Sequence, residues 1–285
     1  MLKLRTAVLF MIIIGGMVPA MAADSTDISS ILMRSTFRIQ DEKSFGTVFI
    51  MGEPILGQPG RGSYVLITAA HVLNDMKGDG AILFLRKQVG TSYIKIPYPI
   101  KIRNKGNPLW VQHPQVDVAA MRIALPQDID IHIFSTDLLA TDKMLEDLEI
   151  HPGDELLVLG YPYGAEANEA GFPVLRSGRV ASFPLIPTAE TKTFLFDFPV
   201  FNGNSGGPVF MHHENRVYKG GTHIGVVRMI LGVVSQEHGL EERVQSLSET
   251  VVRKHKLGLA VVVHARFVKE ILGMLSPLTI TPGAP

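Results

Sequence analysis

The chain has 285 residues, 27 basic against 27 acidic side chains and a formal net charge of zero, a balance that gives no electrostatic reason to expect nucleic acid or an anionic membrane surface as a partner. It contains no cysteine, which excludes a disulfide framework, a thiol nucleophile and thiolate metal ligands, and leaves stability to an ordinary apolar core. With 27 glycines and 18 prolines, the apolar residues fall in short runs that suit many strands better than long helices.

The N-terminal stretch MLKLRTAVLFMIIIGGMVPAMAADS opens with Lys3 and Arg5 and continues as an uncharged apolar run to about Val18. Pro19 breaks any helix, and Ala20-Met21-Ala22 is a small-residue cleavage pattern. Residues 1–22 therefore read as a secretory signal peptide cleaved after Ala22. The alternative is an uncleaved anchor; the short apolar core and the Ala-x-Ala site speak against it. Export to a bacterial periplasm or to the medium is expected, with no stable membrane insertion after cleavage.

Strand-like runs follow at Ser35–Gln40, Gly46–Met51 and Tyr64–Ala69, the last leading into a short helical turn from Ala70 to Asn74. Ala81–Leu85, Tyr93–Ile100 and Val116–Ile123 continue the pattern, and Leu125–Ile150 reads as a polar, partly helical connection. Strands resume at Glu155–Leu159, Val174–Ser182, Thr193–Phe198, Pro208–His212, Val227–Ser235 and Gly258–His264. The charged segment Glu237–Lys256 lies between strands and is expected to be a surface insertion, helical or disordered. Phe267, Val268, Ile271, Leu272 and Leu275 recur at helical spacing and predict an amphipathic C-terminal helix over Ala265–Leu275. Two sets of about six strands predict an all-β fold of two packed six-stranded antiparallel β-barrels with a short C-terminal helix.

Hydrolysis of an amide by serine needs a base, a carboxylate that orients it, and backbone N–H groups for the developing oxyanion. His71, in YVLITAAHVLND, follows an apolar strand and two alanines and is the candidate base; alone it fits better as a satisfied histidine on a turn. Asp117, in PQVDVAAMRIALP, opens an apolar run, where a carboxylate losing water needs a partner; alone it fits better as a turn cap. Ser205, in FNGNSGGPVF, stands among Gly203, Gly206 and Gly207 and is the candidate nucleophile, with the amides of Gly203 and Ser205 able to point at one spot. Alone it equally fits a tight turn.

Together, LITAAHVL, VDVAAMRI and GNSGGPVF, in the order His, Asp, Ser, resemble the three catalytic boxes of trypsin-like (chymotrypsin-fold) serine peptidases. SFGTVFI resembles the strand before the histidine box. HPGDELLVLGYPYG and LRSGRVAS resemble the opening of the second barrel in bacterial members, including the periplasmic high-temperature-requirement type. AVVVHARFVKEIL resembles the closing strand and helix. The resemblance covers roughly residues 35 to 275 and implies His71 as general base and then acid, Asp117 as its orienting carboxylate, and Ser205 as the residue that forms an acyl-enzyme. It implies an oxyanion hole of the Gly203 and Ser205 amides, and a substrate pocket lined by Pro199 and by the strand at Ser235.

The implied domains are 23–140 with His71 and Asp117, 141–276 with Ser205 and the helix, and 277–285 as a flexible tail. Asn202, preceded by Phe201, departs from the proline common before the glycine in bacterial relatives and bears on the shape of the oxyanion loop. No following peptide-binding domain and no buried-amine activation sequence are expected. No acid sits at the implied pocket base, so cleavage after Arg or Lys is not expected, and an apolar or small side chain before the scissile bond is. The expected partner is a protein or peptide substrate, with no cofactor. His212-His213, His151, His223, His238 and His264 lack ligand spacing, so no metal is expected. Two other readings are an inactive protease-like binding protein and an α/β-hydrolase esterase. The second requires a helix after Ser205 and the partner order Ser, Asp, His.

Overall fold

In the computed structural model, which describes residues 27–54, 62–245 and 250–276, two antiparallel sheets succeed one another along the chain. The expected signal peptide and the 277–285 tail lie outside the described residues. The first half contains helix α1 (Ile28–Ser35), strands β1 (Thr36–Gln40), β2 (Phe45–Pro54) and β3 (Gly62–Thr68), helix α2 (Ala70–Asp75), and strands β4 (Gly80–Val89) and β5 (Ser92–Lys101). A small ribbon, β6 (Arg103–Asn104) with β7 (Asn107–Pro108), precedes β8 (Val111–Gln112) and β9 (Ala119–Ile123). Its sheet has seven strands in the order β5-β4-β1-β2-β3-β9-β8.

A connection carrying α3 (Asp142–Asp147) leads to β10 (Glu155–Gly160), β11 (Val174–Val180), α4 (Thr188–Thr191), β12 (Thr193–Asp197), β13 (Pro208–Tyr218), β14 (Gly221–Gln245), β15 (Thr250–His264) and α5 (Ala265–Met274). These six strands close into a barrel in the order β10-β11-β12-β15-β14-β13. The fold is mostly β, chymotrypsin-like, with the short C-terminal helix expected from the sequence. The first half differs in detail from the expected six-stranded barrel: its sheet gains the two-residue strand β8, paired to β9, and β5 and β8 stand at its ends.

The central strands explain how the halves join. Successive side chains of a strand face opposite ways. In β2, Val48 and Ile50 enter an apolar cluster with Leu66, Leu83 and Trp110 inside the first sheet. Phe49 and Met51 face the other way, into a second cluster shared with Phe210 and Ile230 of the barrel and Phe267 and Ile271 of α5. The run VFIM is thus continuously apolar because both faces are covered. Edge strand β5, by contrast, alternates partly buried with exposed residues over most of its length.

Two segments depart from expectation. Residues 28–35 form α1, capped by Asp27, whose carboxylate accepts from the Ser29 and Ser30 amides at 3.3 and 3.0 Å. Ile28 and Leu32, one turn apart, are buried in the shared core. Glu237–Lys256, expected to be an insertion, is instead strand on either side of 246–249, because β14 and β15 continue their antiparallel pairing outward from the barrel. Phe49→Ala is expected to cost about 3–5 kcal/mol of unfolding free energy in a denaturant titration, since it opens a cavity where the two halves meet.

Candidate active site

His71 sits in the first turn of α2, immediately after β3. Ala69 and Ala70 are fully buried, so this short helix lies close against the sheet and carries the imidazole to the edge of the first half. Asp117 lies in the turn before β9. Its Oδ1 accepts from the His71 amide at 3.0 Å, and its Oδ2 lies 2.7 Å from His71 Nδ1. An ionised carboxylate only accepts, so Nδ1 carries the proton and the neutral ring offers Nε2 as its basic atom. Burial alone would lower the His71 pKa. The hydrogen bond and charge of Asp117 outweigh it, Asp75 adds to them, and the net shift is above the ordinary 6.5.

Ser235, on β14 of the second half, donates its hydroxyl to Asp117 Oδ2 at 2.6 Å and is buried. The sequence places it on the strand beside the substrate pocket; in the structure its hydroxyl is engaged by the carboxylate. Burial would raise the Asp117 pKa, but hydrogen bonds from His71 and Ser235 and the charge of a protonated His71 hold it below the ordinary 3.8.

Ser205 belongs to a tight loop between β12 and β13. The Asn204 amide donates to Phe201 O at 3.0 Å, and Gly203 has φ +95°, the combination that a type II turn requires. Gly206 has φ +88°, and a Cβ there would stand 2.0 Å from Thr47 O, so both positions demand glycine. Thr47 of β2 clamps the loop from the first half. Its amide donates to Ser205 O at 2.9 Å and its hydroxyl to Gly203 O at 2.6 Å, while Thr68 Oγ1 donates to Thr47 O at 2.7 Å. Phe201 stacks on Tyr163 at 5.1 Å between ring centroids.

His71, Asn202, Gly203 and Ser205 line one cavity of about 290 Å³, with Lys43, Phe45 and Asp75 among its other walls. Among the described residues, the amides of Gly203 and Ser205 donate to no protein group, and no hydrogen bond yet joins His71 to Ser205. The pocket thus offers a hydroxyl, a basic nitrogen and two unengaged N–H donors, the set needed to add a nucleophile to a carbonyl and receive the negative charge that develops. Pro199, six residues before Ser205, is exposed and lies outside this cavity; its carbonyl accepts from Arg176 at 3.0 Å. Sequence reasoning missed Thr47 and Tyr163. Both lie in runs quoted above, but their contacts with the nucleophile loop are made only in the fold.

After Ser205 the chain enters strand β13, not a helix. The architecture is mostly β, built from two sheets with the pocket at their seam. Residues 46–218 match the family model described as a trypsin-like peptidase domain, and the chain belongs to that family, which makes it a peptidase by class. No match is found among curated proteins. One solved structure similar to it is an inactive-form serine-to-alanine mutant of Rv3671c from M. tuberculosis H37Rv. That protein is 16% identical, with 88% of this chain and 91% of that one covered and a TM-score of 0.43.

The linkage of Asp117 has a definite sign. Its folded pKa is depressed, so its bonds contribute fully above the unfolded value near ~3.9 and are lost as pH falls through the folded one. Ser235→Ala removes one of the groups that depress it. The melting temperature of the variant should fall below that of the unmodified protein at about pH 6, with the gap narrowing as pH falls through the lowered pKa of the folded carboxyl. A gap that is constant with pH would show that the Ser235 hydroxyl acts independently of the Asp117 charge.

Proposed function

We propose that this chain is an exported serine endopeptidase that cleaves peptide bonds through an acyl-enzyme. The observation that carries the reading is the alignment of Asp117, His71 Nδ1 and a cavity in which Ser205 and two unengaged backbone amides meet. His71 Nε2 takes the Ser205 proton as Oγ attacks the substrate carbonyl, and the new oxyanion is received by the amides of Gly203 and Ser205. His71 then gives that proton to the leaving amine, and the acyl group stays on Oγ. Water, deprotonated by the same nitrogen, releases the acid in a second round. Asp117 keeps the proton on Nδ1 and stabilises the imidazolium that forms in each half-reaction. The signal-like N-terminus supports export to a periplasm or the medium.

Hydrogen bonds between a nucleophile and its base often tighten only in the reacting complex. An organophosphonate serine probe followed by peptide mass spectrometry should modify Ser205. Ser205→Ala should lose that label and lower turnover by a factor on the order of a million. Peptide hydrolysis retained by that variant in a clean preparation would remove Ser205 from the mechanism.

Activity requires neutral His71, whose pKa is raised above 6.5, so kcat/KM should climb with pH through a midpoint above that value. Asp117→Asn removes the charge that raises it and should lower turnover by about 10⁴-fold. A rate that is flat between about pH 5 and 8 would count against His71 as the base.

A further inference from the structure

The nucleophile loop is held at one point by the end of the run HPGDELLVLGYPYG. The Asn202 carbonyl accepts from the Tyr163 amide at 2.7 Å. A trans peptide is planar, with its C=O and N–H on opposite edges. Fixing the Asn202 oxygen on the outer side therefore turns the Gly203 N–H inward, to the cavity that also holds Ser205 and His71. Without that hold the peptide is free to rotate. A four-residue turn closes equally well as type I, with its central peptide turned over, and glycine accepts either conformation. The Asn204 side chain lies buried behind the loop and makes no hydrogen bond among the described residues, so it does not set the peptide's orientation.

The Tyr163 amide is aimed by a strained turn. Tyr163 has φ +53° and ψ +27°, left-handed values that a residue with a side chain rarely adopts, and Gly164 follows at φ +76°. Such a turn persists only if its surroundings hold it, and here they belong to the other half of the molecule. Arg38, on β1, donates to Gly164 O at 3.3 Å and lies 3.4 Å from Glu166 Oε1. Lys95, on β5, bonds Glu166 Oε2 at 2.5 Å. Both cations lie over the Phe84 ring of β4, at 4.2 and 5.9 Å from its centroid. Glu166 is 13% exposed, so its two pairs are shielded from solvent. Further along the same loop, fully buried Arg86 donates to Gly171 O at 2.9 Å and lies over Phe172.

We propose that Glu166 is a positioning residue for hydrolysis. Gripped by Arg38 and Lys95, it ties the 162–166 turn to the first sheet, so that the Tyr163 amide keeps the Asn202 carbonyl out of the pocket and the Gly203 N–H directed into it. The proposal rests on the serine-peptidase reading above. It makes oxyanion stabilisation in the second half depend on two cations of the first.

The test compares the unmodified protein with Glu166→Ala and Glu166→Gln, with Glu169→Gln, an exposed acid in the same loop, as control. Hydrogen exchange of peptides covering 161–172 and 199–207 reads the tie without reference to catalysis. Faster exchange across 199–207 in both Glu166 variants is expected. On a peptide amide, kcat should fall about tenfold or more while KM stays within about twofold, because the lost contact serves the transition state. Affinity for a peptide boronate, which mimics the tetrahedral state, should fall in parallel with kcat, with both read at a temperature where melting curves show the variants folded, since two cations lose their acid.

Unchanged exchange at 199–207, or a rise in KM at constant kcat, would overturn the proposal. A loss of kcat accompanied by an equal loss in the Glu169→Gln control would overturn it as well. An unmodified protein that neither hydrolyses peptides nor labels at Ser205, yet shows faster exchange in the Glu166 variants, would support the tie and overturn the serine-peptidase reading instead.

Discussion

One carboxylate organises this molecule. Asp117 accepts from the amide and ring of His71 in the first half and from the hydroxyl of Ser235 in the second. A charge taken partly out of water is costly until its acceptor sites are filled, and the donors that fill them come from both sheets. Its environment therefore specifies how the halves sit together as well as which nitrogen of His71 carries the proton. The same bonds that hold the Asp117 pKa down hold that of His71 up, so structural support and chemical poise have one source.

Around that charge, the seam is closed by backbone contacts. Thr47 bonds the carbonyls of Gly203 and Ser205, and its own carbonyl approaches Gly206 so closely that no side chain fits between them. The core beneath is continuous. Phe49 and Ile67 from one sheet pack in a single cluster with Phe210 and Ile230 from the other, and α1 and α5 seal it. The site is a junction whose geometry each half constrains in the other, which is why a loop in the barrel is sensitive to residues on β1 and β5.

Much of the fold was legible because its signals are local. Alternation and short apolar runs mark β1 to β5 and most of the barrel strands, and the spacing of Phe267, Val268, Ile271 and Leu272 marks α5. The segment α1 was missed because Ile28, Ile31 and Leu32 make a short stripe that only burial against both sheets turns into a stable helix. The charged outer part of the β14–β15 hairpin was missed because its many charged residues mask the strand pattern, and its strand state continues an existing ladder.

For the candidate site, the amino-acid sequence by itself determined which residue types were available and in what order: His71, Asp117, and Ser205 among glycines that alone tolerate its turn. Tertiary structure decided that these three converge on one seam, that the Ser235 hydroxyl is bonded to the carboxylate, and that, among the described residues, the amides of Gly203 and Ser205 are left unengaged beside the pocket. The division has a physical cause. Turn chemistry and side-chain identity act over a few neighbouring residues, whereas the direction of a backbone N–H at Gly203 depends on a hydrogen bond from Tyr163, forty residues earlier in the chain, which exists only once both sheets have formed.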